Sequence, residues 1–367
     1  MTILSDKNIY KLIIMITKSQ LGFLKEILKT SSPSGCEEEL TSLLKKRMSS
    51  FCDIETDAIG NLYMWVSKSN QAPTIMITAH ADEVGFQVTH IDSSGFVYFR
   101  GVATPDPQTI PGSQVVALTK NGKLFGVIGK KSPHVQDYKE RDRSLSISDM
   151  WIDFGFESEE EAMLHIEYGD YITLYSEPKI FGNGKRITSK ALDNKICVFI
   201  LIEVLKRLSK IDIPLNIVGV ATVQEELGCR GSIIAANRIN PNIALILDVG
   251  IASDIPNMSK NKYGTFELGK GTGIIRNADN NERLVKTLIK VAEKNDIPYQ
   301  KTIGYKSTGG TESATIQLAK EGITTANISI PNRYMHSGVE TCDLRDIESS
   351  VVLLVAEIQE LAKLLNG

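Results

Sequence analysis

Chemically active side chains close four apolar runs of this sequence, and that placement restricts the fold more than any other feature. The run 74–78 leads into Ala79-His80-Ala81-Asp82-Glu83, and the run 215–222 into Gln224-Glu225-Glu226. The run 243–247 ends on Asp248, and the run 325–330 precedes Arg333-Tyr334-Met335-His336-Ser337. Near-continuous apolar strands separated by helical patterns indicate an α/β layer with a sheet covered on both faces. Ligands of such sheets gather outside the carboxyl ends of the strands. Groups far apart in sequence would therefore meet in one crevice.

Taken singly, each group has an ordinary structural explanation. A histidine after a strand is usually structural, Glu225-Glu226 reads as a solvated acidic loop, Asp248 as a turn residue, and Asp193 as a helix cap. Together these explanations would have to coincide at equivalent ends of separate strands. Two imidazoles, His80 and His336, with Asp193, Asp248 and one carboxylate of the Glu225-Glu226 pair suit two borderline divalent ions, and one carboxylate is left to act as a base. The chain has only five histidines. His90, His134 and His165 match no ligand position and are assigned to structure or surface.

The 367 residues, 42% of them hydrophobic, allow one large domain or two with ample core. A formal net charge of -3 gives no reason to expect nucleic acid or an anionic membrane surface as partner. Five cysteines without a Cys-x-x-Cys pair suggest reduced thiols in the cytosol. The apolar stretch 9–16 is short and interrupted by Lys11, so it is not read as a signal peptide. No stretch approaches the roughly 20 apolar residues of a membrane span. The expectation is a cytoplasmic protein with an N-terminal extension over 1–19.

Periodicity predicts helices over 20–29 and 37–50, the second started by Ser34 or Gly35, and strands over 62–66 and 74–78. From 84 to 170 the texture changes to short β-rich pieces separated by turns such as Asn121-Gly122. That block reads as a small inserted β-rich domain. Beyond it, helices are expected over 192–208, 232–237, 283–293, 311–320 and 347–365.

The set Ala-His80-Ala-Asp82-Glu83, Leu-Asp193-Asn-Lys195, Gln224-Glu225-Glu226-x-Gly228, Asp248 and Tyr-x-His336-Ser337 resembles, from about Leu21 onward, the M42 family of cobalt- or zinc-dependent aminopeptidases. Its members include glutamyl and tetrahedral aminopeptidases, and some carry an endoglucanase label. The resemblance implies an α/β fold, a mixed sheet covered by helices in a zinc-exopeptidase-like catalytic domain formed by 20–83 and 171–367. It also implies that 84–170 is a PDZ-like dimerisation or assembly domain. Two divalent ions, zinc or cobalt, would be held in each subunit: His80 and Asp248 on one, Glu226 and His336 on the other, Asp193 bridging. Asp82 would orient the His80 ring, Glu225 would be the general base, and the Asp193-Asn194 peptide would be cis. Gly309, Gly310 and Thr311 would form a wall of the substrate pocket. Substrates would be short peptides trimmed from the N-terminus, and the chain would be a homo-oligomer built from dimers into a hollow tetrahedral dodecamer.

The sequence departs from the family at Glu312-Ser313, where Asp-Ala is usual, at Lys306-Ser307, where Arg is common, and at Gly338, where Pro is usual. These changes leave the ligand positions intact and the preferred N-terminal residue open. Two other readings stand beside this one: a related binuclear amidohydrolase (deacylase or carboxypeptidase), and a non-catalytic peptide-binding scaffold. A glucanase is disfavoured, because glycoside hydrolysis ordinarily uses an acid/base carboxylate pair without bridging metals.

Overall fold

The computed structural model describes residues 16–69, 71–304 and 308–366. Residues 1–15 of the expected extension, and Lys306-Ser307, lie outside them. Helix α1 (Lys18–Lys29) begins at Thr17, whose hydroxyl accepts the Gln20 N–H while the Gln20 side chain accepts the Thr17 N–H. Helix α2 (Glu38–Met48) follows, and the two bury Phe23, Leu24, Ile27 and Leu28 and Leu40, Leu44 and Met48 respectively. Neither Ser34 nor Gly35 caps α2; Glu37 precedes it without a side-chain bond to the helix amides. The Ser34 hydroxyl is committed elsewhere, donating to Asp82 Oδ2 at 2.6 Å.

The chain next forms β1 (Asp53–Thr56), β2 (Leu62–Ser67) and β3 (Thr74–His80). It then enters a closed barrel made of β4 (Gly85–Ile91), β5 (Val97–Val102), β6 (Gln114–Thr119), β7 (Gly122–Lys130), β8 (Met150–Asp153) and β9 (Tyr171–Tyr175). Helices α3 (Tyr138–Asp142) and α4 (Glu159–Met163) lie between β7 and β9. The barrel has its own buried cluster, including Phe86, Val97, Ile128, Ile152 and Ile172. Its last strand lies past the boundary expected at 170, because β9 pairs with both β4 and β6.

Strands β10 (Lys179–Phe181) and β11 (Arg186–Ser189) lead into α5 (Leu192–Leu208). There follow β12 (Asn216–Thr222), α6 (Arg230–Ile239), β13 (Ile243–Ile251), α7 (Lys260–Tyr263), β14 (Thr272–Ile275), α8 (Glu282–Lys294) and β15 (Tyr299–Thr302). The chain ends with α9 (Ser313–Ile316), β16 (Thr324–Asn332), β17 (Glu340–Asp343) and α10 (Leu344–Asn366).

Among the described residues the main sheet has eight strands in the order β1-β2-β12-β3-β13-β16-β14-β15. The central β12, β3, β13 and β16 are parallel, while β2 and β14 flank them antiparallel. The sheet is thus mixed, with four parallel carboxyl ends on one side. Successive side chains of a strand point to opposite faces. On β13, Leu245 and Leu247 join the cluster built with α5, α8 and α10, and Ala244 and Ile246 join the cluster built with α6 and α9. That two-sided burial explains why these strands read as unbroken apolar runs. Gly219 lets α5 lie close against β12, since a Cβ there would sit 2.4 Å from Leu205 Cδ1.

Three strands of the main sheet were not anticipated. β1 and β15 are short and polar at the two edges of the sheet, and β14 is a four-residue strand containing a glycine. The helix expected over 311–320 is reduced to α9; Leu318 behind it is exposed and Lys320 turns with φ 54°. No helix among the described residues is long and apolar enough to cross a membrane.

Candidate metal centre

His80 is the last residue of β3, and Asp248 lies in the carboxyl-terminal half of β13. Glu225 and Glu226 follow β12, His336 follows β16, and Asp193 sits in the first turn of α5. The structure brings all six together at the carboxyl ends of the parallel strands. His80 Nε2 lies 3.2 Å from Asp193 Oδ1, 3.7 Å from Asp248 Oδ1 and 4.0 Å from Glu225 Oε2. His336 Nε2 lies 3.2 Å from Glu226 Oε1 and 3.4 Å from Asp193 Oδ2. Asp193 thus offers one oxygen to each imidazole. Two donor groups result, His80–Asp193–Asp248 and Asp193–Glu226–His336, each with its ligand atoms within 4.8 Å of one another.

Both rings are oriented through Nδ1. His80 Nδ1 faces the Asp82 carbonyl at 3.2 Å and Asp82 Oδ1 at 3.4 Å. His336 Nδ1 faces the Thr104 carbonyl, which follows β5 of the barrel, at 3.0 Å. A ring that donates through Nδ1 presents an Nε2 lone pair when neutral. Here both lone pairs would confront carboxylate oxygens, an arrangement that is repulsive unless a cation lies between. A proton or a divalent ion meets that requirement, and the nitrogen and oxygen donors suit zinc or cobalt.

The titration of the site reflects the same crowding. Burial opposes charge on His80, but its hydrogen bonds to the Asp193, Asp248 and Asp82 carboxylates hold the imidazole well above the ordinary range. Burial opposes charge on His336 too, yet Asp193 and Glu226 push it up to about 11. Asp193 is drawn below the usual carboxylate range, since its two imidazole partners outweigh its burial. Burial, with Asp248 and Glu226 nearby, pushes Glu225 well up despite His80.

Asp82 is fully buried and serves several groups at once. Its Oδ1 accepts the Glu225 N–H at 2.9 Å, and its Oδ2 accepts the Glu226 N–H at 3.1 Å and the Ser34 hydroxyl. Glu225 is held on its far oxygen by the Cys229 thiol, 3.3 Å from Oε1. The Asp193-Asn194 peptide is cis. The Asn194 amide donates to the Leu247 carbonyl at 2.9 Å, fastening the start of α5 to β13 beside Asp248.

Behind the site, Glu83 is buried between two lysines. It accepts Lys190 Nζ at 2.8 and 2.7 Å, Lys195 Nζ at 2.7 Å and the Ser32 N–H at 2.9 Å. Both ammonium groups also donate to the Thr30 carbonyl. Burial pushes Lys195 down to about 7 against the pull of Glu83.

The loop expected to line a substrate pocket is partly committed to structure. The Gly309 N–H donates to Asp279 Oδ2 at 2.6 Å and so is not open to a ligand. The Thr311 hydroxyl reaches Asp248 and accepts the Asn327 amide at 2.9 Å. Gly310 turns with φ 83°. Glu312 is buried, takes the Thr222 hydroxyl at 2.5 Å, and is raised by burial to about 7. His90 packs beside Tyr98 and His165 stacks on Phe156, both in the barrel and away from the donor groups. Sequence reasoning missed Ser34, Thr104, Cys229 and Glu340 around the site. Only Glu340 left a signal, four residues after His336.

Residues 60–353 match the family described as M42 glutamyl aminopeptidase. The chain belongs to the M42 peptidase family. It is therefore a hydrolase of the aminopeptidase kind, in a family that depends on metal. The lysyl aminopeptidase of Pyrococcus furiosus is 32% identical, over 92% of this chain and 96% of that protein. The glutamyl aminopeptidase of Lactococcus lactis is 30% identical, over 92% and 95%. Among solved structures, a TET aminopeptidase from a marine sediment thaumarchaeote superposes with TM-score 0.89 at 33% identity, covering 94% of this chain and 96% of that one. The Pyrococcus horikoshii TET1 peptidase, which can assemble into a tetrahedron or a large octahedral shell, superposes with TM-score 0.82 at 32% identity, covering 92% and 98%.

Proposed function

We propose that this chain is a binuclear metal-dependent aminopeptidase that removes N-terminal residues from short peptides, with Glu225 as general base. The observation that carries the reading is the pair of donor groups sharing Asp193, with a fourth carboxylate, Glu225, beside them and outside both. His80 and Asp248 would hold one zinc or cobalt ion, Glu226 and His336 the other, and Asp193 both. Such ions supply Lewis acidity toward a carbonyl oxygen and acidify water when bound.

The protein's own groups divide the remaining work. Glu225 Oε2 faces the crevice and takes the proton of the attacking water, then returns it to the departing amine. Cys229 holds Oε1 and keeps that carboxylate aimed. Asp82 orients the His80 ring and, through the backbone, Glu225 and Glu226. The acidic crevice is complementary to a free terminal amine, which favours attack from the N-terminus. Gly310 and Thr311 line the neighbouring wall of the substrate pocket.

The proposal extends to organisation. Segments 20–83 and 171–367, less the barrel strand β9 (Tyr171–Tyr175), form the zinc-exopeptidase-like catalytic unit, and the barrel serves as the PDZ-like assembly module. Copies join into a homo-oligomer of the tetrahedral kind, working in the cytoplasm.

The test is hydrolysis of paired free-amine and N-acetylated aminoacyl p-nitroanilides, before and after chelation and with cobalt or zinc restored. Cleavage of the free-amine set alone, lost on chelation and regained with metal, is expected. Release of p-nitroaniline from the acetylated set would remove the free-amine requirement and the aminopeptidase reading with it. Failure of both sets with metal bound would overturn the aminopeptidase reading.

A further inference from the structure

Glu340 belongs to neither donor group and yet touches both. It is the buried first residue of β17, paired across the small sheet with Ser189 of β11. Its Oε1 accepts the His336 N–H at 2.8 Å. Its Oε2 accepts the Asp193 N–H at 2.7 Å and the Asn332 side-chain amide at 3.2 Å. Asn332 is fixed in turn, its Oδ1 accepting the Thr341 N–H at 3.2 Å.

The backbones that Glu340 joins are not in regular geometry. His336 has φ 62°, and Asp193 follows Ala191 at φ 55° in a helix start whose Asp193 and Asn194 dihedrals are non-helical. A non-glycine residue at positive φ persists where its surroundings over-determine it. The first amides of a helix have no intrahelical acceptor, and Ala191 offers no side-chain cap. Glu340 is the acceptor that the Asp193 amide uses.

We infer that Glu340 is the positioning residue of the Asp193–Glu226–His336 group, holding the Asp193 and His336 backbones in register on the two oxygens of one carboxylate. The inference rests on reading the site as a metal centre. It gives the two histidines separate carboxylate supports, since Asp82 faces the His80 ring and Glu340 holds the His336 backbone. Conservative replacements break the clamp. Aspartate is one methylene too short to reach both amides, and glutamine must turn its NH₂ toward one of the two N–H donors.

The test is cobalt(II) titration of wild type, E340Q, E340D and H336A against a competing chelator, read by metal content and by the visible cobalt spectrum. Wild type is expected to bind two ions per subunit. E340Q and E340D are expected to weaken the ion held by Glu226 and His336 roughly 10- to 100-fold, to weaken the other, which shares only Asp193 with it, by less, and to retain the cobalt spectrum seen in H336A. Equal weakening of both ions, as a merely structural carboxylate would give, or no weakening, would overturn the clamp. A wild type that does not bind two ions would instead remove the metal-centre reading, and the clamp with it. Should both Glu340 variants fail to fold, amide exchange in the wild type decides. The Asp193 and His336 amides are expected to be slow, and fast exchange at either would overturn the inference.

Discussion

Replacing Glu83 by Gln leaves the shape of the buried cluster behind the site intact and removes its only carboxylate. Lys190 and Lys195 are 3% and 0% exposed, so neither ammonium can turn to water. Removing one partner of a buried ion pair costs about 3–5 kcal/mol. A second bound follows from the escape open to a stranded lysine, which is to lose its proton. From an ordinary pKa of about 10.4, that costs about 4.6 kcal/mol at pH 7. Lys195, already pushed down to about 7, bears most of that cost in the wild type. The new cost therefore falls on Lys190 alone, and E83Q should lose about 3–5 kcal/mol rather than twice that. Urea unfolding of metal-free protein at fixed concentration measures it. The pH dependence supplies a signature. A lysine neutral in the folded state and charged in the unfolded one makes stability rise with pH, because the unfolded chain binds the extra proton. The Lys195 penalty is full below about pH 7 and fades toward about 10. In E83Q a second lysine joins it, so the deficit of the variant should shrink as pH rises from about 7 to about 10. Adding K190M to E83Q should recover much of the loss. A single variant within about 1 kcal/mol of wild type, or a double variant no better than the single, would refute the argument.

Three further outcomes are expected. E225Q should keep both metals and lose nearly all turnover, and an active E225Q would show that the base lies elsewhere. H336A should lose one ion selectively, and unchanged metal stoichiometry would contradict the ligand assignment. Because His336 is pushed up to about 11 and His80 well above its ordinary range, metal uptake at neutral pH should release protons, and affinity should fall with acidification. Calorimetry in buffers of different ionisation enthalpy reads that release, and buffer-independent heats would contradict it. In chelated protein the His336 shift contributes stability that is complete below about pH 6.5 and lost as pH rises through about 11.

Much of the architecture was legible because the central strands are buried on both faces. β3, β12, β13 and β16 announce themselves as apolar runs, and the polar residues at their ends stand out for that reason. The edge strands β1 and β15 carry polar sequences that look like loops until a neighbour supplies hydrogen bonds. The N-terminus of α2 was misjudged because Ser34, a plausible cap, is drawn to Asp82 by tertiary contact. The donor residues could be picked out by chemical type, but, Asp82 apart, their supports could not. Glu340 acts on backbone amides, Thr104 acts through a carbonyl, and Cys229 meets Glu225 across one turn at the start of α6. Such contacts depend on where the chain folds back and leave little trace in residue pattern.

The Thr104 carbonyl has a practical consequence for anyone who would re-engineer this enzyme. Every side chain at position 104 carries the same carbonyl, so a substitution scan would pass over it as silent. Changes of loop length between β5 and β6, or exchange of the barrel for a relative's, would shift that oxygen away from His336 Nδ1. The barrel is in this sense a part of the active site that can be damaged by grafting but not by point mutation, and a chimera should be judged by the backbone path through residues 102–105 before any side chain is considered.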